Sequence, residues 1–158
     1  MIDKQRIIAH HLSFIHEIQK FAELTEQILR MPIQQGKWSI IEIIGHFTPW
    51  DQFILNKRIP YLLANEPLPK GPSANELNTL SSRKAKSDCI QDTIEAFIST
   101  RSKLVEMLSE IPEDMWHSEF LINGKIFSLS SYFTGLIEHD LHHLKQMQMF
   151  LQQLKLSK

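Results

Sequence analysis

The stretch Gly36–Asp51, GKWSIIEIIGHFTPWD, decides how the chain is organised. Ser39 and Glu42 stand at the spacing of a capping box, in which each side chain satisfies a backbone N–H that the start of a helix leaves without a partner. Ile40, Ile44, Phe47, Ile54 and Leu55 then recur at helical spacing as one apolar stripe. Pro49 removes an internal hydrogen bond, so a bend is expected beside His46, and Pro60 limits the far end.

Upstream, Ile7, Ile8, Leu12, Ile15, Ile18, Ala22, Thr25 and Leu29 predict one long amphipathic helix from Asp3, its N-cap, to about Arg30. Downstream, residues 65–86 (NEPLPKGPSANELNTLSSRKAK) hold three prolines and many small polar residues without clear periodicity, and read as a long connection. A connection of about 22 residues reaches up to roughly 70 Å, while a helix of about 24 residues is roughly 36 Å long. The chain is therefore able to return the full length of a bundle and run the next helix parallel to the previous one. That third helix is expected from Ser87 or Asp88, through Ile90, Ile94, Phe97, Arg101, Leu104 and Leu108, to Pro112. Phe120-Leu121-Ile122, Asn123-Gly124 and Lys125-Ile126-Phe127 form the pattern of a hairpin with a primed turn. A last helix follows from Leu129 to about Leu154. The expected fold is all-α, a four-helix bundle in one domain over residues 1–158, with a long crossover between helices two and three and a small hairpin before helix four.

Bulk composition narrows the class. With 42% hydrophobic and 22% charged residues the chain is an ordinary globular protein, and a formal net charge of -1 gives no bulk attraction to a polyanion, so no nucleic-acid partner is expected. No segment has the apolar length of a membrane span or a signal peptide, so neither membrane association nor export is expected. The single cysteine, Cys89, fits a reducing compartment, and the cytoplasm is the expected location.

Chemistry concentrates on histidine. On a wheel of about 100° per residue, His143 lies about 80° and His139 about 120° from the centre of the last helix's apolar stripe, on the same side, with His142 on the opposite face. His46 and Trp50 share a flank of the second helix. An i,i+4 pair from one helix and a third imidazole from its neighbour suit a divalent metal with a position left open. Eight histidines in 158 residues also make a chance i,i+4 pair common, so spacing leaves a structural role open. His10, His11, His16 and His117 read as exposed residues without a role. Asp51 and Asp140 fall inside apolar stripes and each needs a partner: either a ligand histidine's free ring N–H, or Arg58 or Arg101. Trp38, Trp50, Phe53 and Trp116 read as core or as the walls of a pocket.

Gly36–Asp51 and Leu136–Met147 (LIEHDLHHLKQM) together resemble the two signature segments of the DinB/YfiT-like superfamily. The resemblance implies a crossover four-helix bundle, usually a homodimer. It also implies a divalent metal held by His46, His139 and His143; imidazole ligands fit zinc or nickel, and the helix wheels make Trp50, Asp51 and Asp140 the neighbouring pocket or supporting candidates. Some members use a low-molecular-weight thiol, bacillithiol or mycothiol, for S-transfer or isomerisation. The family's link to DNA damage concerns expression. The expected function is thus a metal-dependent enzyme acting on a small molecule, most readily by thiol transfer. A metal-dependent hydrolase and a non-enzymatic dimeric binding bundle are the alternatives.

Overall fold

In the computed structural model, which describes residues 2–156, the expected first helix is two. Asp3 accepts the Arg6 amide at 2.8 Å and starts α1 (Lys4–Phe21). Thr25 then accepts the Ile28 amide at 3.3 Å and starts a separate α2 (Glu26–Arg30). A hydroxyl placed to cap a helix competes with continuing one, and the sequence pattern had counted Thr25 as part of the stripe. The capping box opens α3 (Ile40–Phe53) as expected: the Ser39 amide donates to Glu42 Oε2 at 2.9 Å, and the Glu42 amide donates to Ser39 Oγ at 3.4 Å. α3 continues through Pro49, widens into a π-helical turn at Ile54–Arg58, and passes into α4 (Ile59–Leu63).

The long connection is not structureless. Its second half is α5 (Ala74–Ser87), started by Ser73 Oγ accepting the Glu76 amide. α5 is mostly polar and shows a weak stripe because few of its residues are buried, among them Ser81, Ser82 and Ala85. It runs antiparallel to α3: Glu42 Oε1 accepts from Ser82 Oγ at 2.6 Å at one end, and Trp50 Nε1 donates to Asn78 Oδ1 at 2.9 Å toward the other. α6 (Ile90–Glu110) then lies parallel to α3, as the crossover requires. Gly45 neighbours Thr93, the Phe47 and Phe97 rings lie 5.6 Å apart, and Asp51 meets Arg101. Pro112 ends α6, and Lys4 Nζ reaches across from α1 to cap it, donating to the Ser109 and Ile111 carbonyls at 2.9 and 2.7 Å. β1 (Glu119–Ile122) and β2 (Lys125–Ser128) pair antiparallel about Asn123 and Gly124, whose φ values of 50° and 77° are those of the primed turn. α7 (Leu129–Leu156) completes the bundle. Among the described residues no helix is long and apolar enough to cross a membrane.

The core is divided. One apolar cluster gathers Phe14, Ile44, Phe47, Phe97 and Met147; the other gathers Ile7, Ile54, Leu104, Trp116, Phe133 and Ile137. Between them in each long helix sits a buried polar residue: His11 in α1, Asp51 in α3, Arg101 in α6 and Asp140 in α7.

Gly45 sets the approach of α5 to α3. A Cβ there would lie 2.9 Å from Ala85 Cβ, closer than two carbons tolerate. Gly45→Val should lower stability by about 1–3 kcal/mol through overpacking, and adding Ala85→Gly should return part of that loss. Urea denaturation of the single and double variants measures both.

Candidate metal centre

The bundle delivers His46, His139 and His143 to one point. His46, four residues into the capped α3 from Glu42, is 2% exposed, and the Trp38 ring covers it at 5.0 Å. Its Nδ1–H donates to the Ile43 carbonyl one turn earlier, which leaves Nε2 as the lone pair facing outward. On α7, His143 Nδ1–H donates to Gln146 Oε1 at 2.9 Å, so its Nε2 is also a lone pair. His139 Nε2 lies 3.5 Å from His46 Nε2 and 3.2 Å from His143 Nε2, and all three nitrogens lie within 4.8 Å of one another.

This arrangement suits a cation. With both Nδ1 protons committed, only His139 is left to offer a proton to its neighbours, and one proton bridges one pair at a time. The other lone pairs face each other, which is unfavourable without a positive charge between them. Tetrahedral Zn–N bonds of about 2.0–2.1 Å imply N···N edges of about 3.3–3.4 Å, close to the two distances above. Burial, with His143 adding to it, lowers His46 from 6.5 to about 3. Burial and His139 lower His143 to about 4, and burial lowers His139 as well. All three rings are therefore neutral at pH 7, the form that coordinates a metal.

The two aspartates take the Arg101 option. Arg101 Nε and Nη2 donate to Asp51 at 2.7 and 3.2 Å, and Nη1 and Nη2 donate to Asp140 at 2.7 and 3.2 Å. Neither carboxylate is hydrogen-bonded to His46, His139 or His143. Asp140 instead takes His10, whose Nε2 lies 2.9 Å from its Oδ2, and Arg101 also donates to His11 Nδ1 at 3.2 Å. His10 and His11 are therefore not the exposed, idle residues expected. Spacing held the signal: Ile7, His11, Phe14 and Ile18 form a continuous i,i+4,i+7 row, whereas Leu12, counted in the stripe, is 53% exposed. His10, His11 and Asp140 also bring their donor atoms together, but the Arg101 guanidinium fills the place a cation would take. His16, His117 and His142 are exposed as expected, although the His142 ring lies 5.2 Å from that of His143. Trp116 is core.

Beside the three imidazoles opens a cavity of about 340 Å³ whose lining includes His139, Trp50, Phe53, Asp51, Arg58 and Tyr132. Burial raises the Asp51 carboxyl to about 6 against the pull of Arg101. Burial also penalises the Asp140 carboxylate, but Arg101 and the His10 hydrogen bond outweigh it and hold Asp140 at about 2.

Two outcomes are expected. Arg101→Leu should cost about 3–5 kcal/mol because it strands two buried carboxylates, and replacing Asp51, Arg101 and Asp140 together by leucine or methionine should recover most of that loss. Chemical denaturation of the two variants measures it. In metal-free protein, stability should fall as pH drops from about 6.5 toward 4. His11, lowered to about 3 by burial and Arg101, and His46 and His143 take up protons across that window only when unfolded. Asp51 works in the opposite sense between 3.8 and about 6, since it protonates first in the folded state. Three imidazoles outweigh one carboxyl, and melting temperature against pH, with and without His11→Gln, checks the sign.

Comparison with known proteins places this geometry in context. No curated protein matches the sequence. Two solved structures share the fold. The YfiT protein from Bacillus subtilis, described as a probable metal-dependent hydrolase with an unusual four-helix bundle topology, has a TM-score of 0.81 and 13% identity, over 98% of this chain and 91% of that one. The colibactin self-resistance protein ClbS, solved in complex with a dsDNA, has a TM-score of 0.74 and 12% identity, over 96% of each chain. The ClbS complex corrects the expectation that nucleic acid is excluded: net charge near zero describes the whole surface, and a protein of this fold is found on DNA. The model of the DinB superfamily matches residues 16–147, a span that includes all three converging histidines, and the chain belongs to that superfamily.

Proposed function

We propose that the protein is a metal-dependent enzyme that acts on a small molecule in the cavity beside His139. The reading rests on the convergence of three neutral imidazoles through their Nε2 atoms, with His139 lining that cavity. His46, His139 and His143 hold a divalent ion, zinc or nickel, since imidazole suits both. The bound ion supplies a Lewis acid that stabilises the anionic form of a thiol or water at neutral pH. The chain's own part is orientation and exclusion of water. Ile43 and Gln146 fix the tautomers of His46 and His143, Trp38 shields His46, and Trp50 and Phe53 wall the cavity.

Thiol transfer is the leading reaction, on the resemblance of Gly36–Asp51 and Leu136–Met147 to a family that contains thiol-dependent enzymes. Hydrolysis is the second reading, favoured by the description of YfiT as a probable metal-dependent hydrolase on the same fold. Product analysis separates them, because only transfer leaves a thioether adduct.

Protein purified without a histidine tag should carry about one ion per chain, and the His46→Ala/His139→Ala double variant should carry none. Equal metal in both overturns the reading. Gln146→Met should weaken metal binding by about 10–100-fold, because it frees the His143 ring while leaving every ligand in place. Competition with a chromogenic chelator measures that change.

A further inference from the structure

The cavity wall holds a guanidinium that no carboxylate of the described residues contacts. Arg58 is 7% exposed, sits in the π-helical turn Ile54–Arg58 and lines the cavity with His139. Its Nη1 donates to the Pro69 carbonyl at 2.7 Å, and its Cζ lies 4.6 Å from the centre of the Phe53 ring. Its buried Nε has no hydrogen-bond partner, and no carboxylate pairs with it, among the described residues. A buried guanidinium in this condition is costly unless something else supplies the acceptor.

The other arginine in the same wall shows the contrast. Arg101 is saturated by Asp51 and Asp140, and those carboxylates are thereby committed. Among the described residues two donors of this wall are unmet, His11 Nε2 and Arg58 Nε, and of the two only Arg58 carries a charge. The connection between α4 and α5 folds over it: a Cβ on Gly71 would lie 3.5 Å from Arg58 Nη2 and 3.9 Å from Phe53 Cζ. The Tyr132 hydroxyl sits beside the guanidinium, while Phe47, Trp50, Ile54 and Leu136 give the walls an apolar character. Single π-helical turns recur at functional sites, where the wider turn re-aims a side chain.

Resting on the reading that this cavity takes the substrate, we infer that Arg58 is a specificity determinant that binds a carboxylate on a substrate with an apolar body. One guanidinium without an ion-pair partner matches a single negative charge, and the two carboxylates that Arg101 alone offsets in the same wall disfavour a phosphate dianion. A planar carboxylate also fits the fork of N–H donors that guanidinium presents. The carboxylate pairs with the part of the guanidinium that lines the cavity, and the apolar body occupies the space toward His139.

Titration calorimetry of the metal-free protein with benzoate, benzamide and phenylphosphonate tests this. Benzoate should bind, and benzamide should bind at least about tenfold more weakly, since it keeps the shape and loses the charge-assisted bonds. Arg58→Gln should bring benzoate down to the benzamide level, and Arg58→Lys should fall between. Because Arg58 also holds the Pro69 carbonyl, circular dichroism checks that the variants fold; the benzoate and benzamide comparison on unaltered protein decides the matter if they do not. No benzoate binding, equal affinity for benzoate and benzamide, tighter binding of phenylphosphonate, or undiminished benzoate binding by folded Arg58→Gln overturns the inference. These results are independent of the metal: equal metal content in the unaltered protein and the His46→Ala/His139→Ala variant would overturn the metal reading, while benzoate binding that depends on Arg58 would leave this one standing.

Discussion

The bundle turns on a single guanidinium held between two carboxylates. Arg101 is 3% exposed, and in that environment a charge without partners would cost several kcal/mol. Asp51 on α3 and Asp140 on α7 answer it, and burial's penalty on Arg101 is overcome by them, so that it is held well above its ordinary value. With His11, each long helix contributes one member to this polar layer, and the two apolar clusters lie on either side. Apolar packing alone tolerates sliding of one helix past another by a turn. Sliding α3, α6 or α7 would strand a charge and sliding α1 would strip the hydrogen bonds of His10 and His11 from it, so the layer fixes their relative heights in a way that leucine and isoleucine do not.

That constraint reaches the histidines directly. Asp140 is the residue after His139, and its two oxygens are claimed by Arg101 and His10. Pinning Asp140 toward the bundle axis sets the rotation of α7, and at about 100° per residue this turns His139 and His143 to the flank that faces α3. On α3 the corresponding pin is Asp51, five residues past His46. The polar layer therefore serves as the platform on which the three imidazoles are aimed, although it touches none of their Nε2 atoms.

Much of this was legible in the sequence because it follows from local chemistry. The capping box of Ser39 and Glu42, the Asn123-Gly124 turn and the HxxxH spacing of His139 and His143 are short-range signals, and each appears where the residues place it. Ambiguity grew with distance along the chain. Two aspartates and two arginines could be matched in several ways on paper, and only packing shows that Arg101 takes both carboxylates while Arg58 takes none. α5 escaped notice because its burial rests on serines and alanine, which carry little hydrophobic contrast. His11 escaped because Leu12, next to it, drew the apolar stripe one residue too far round the helix.

His46 and His139 are separated by 93 residues of chain yet their nitrogens lie 3.5 Å apart. On the ribosome α3 emerges long before α7, so a nascent chain presents one of the three converging imidazoles for most of its synthesis. The three-imidazole cluster is thereby completed only when the closing helix has docked. Timing of maturation is written into the order in which the helices leave the tunnel.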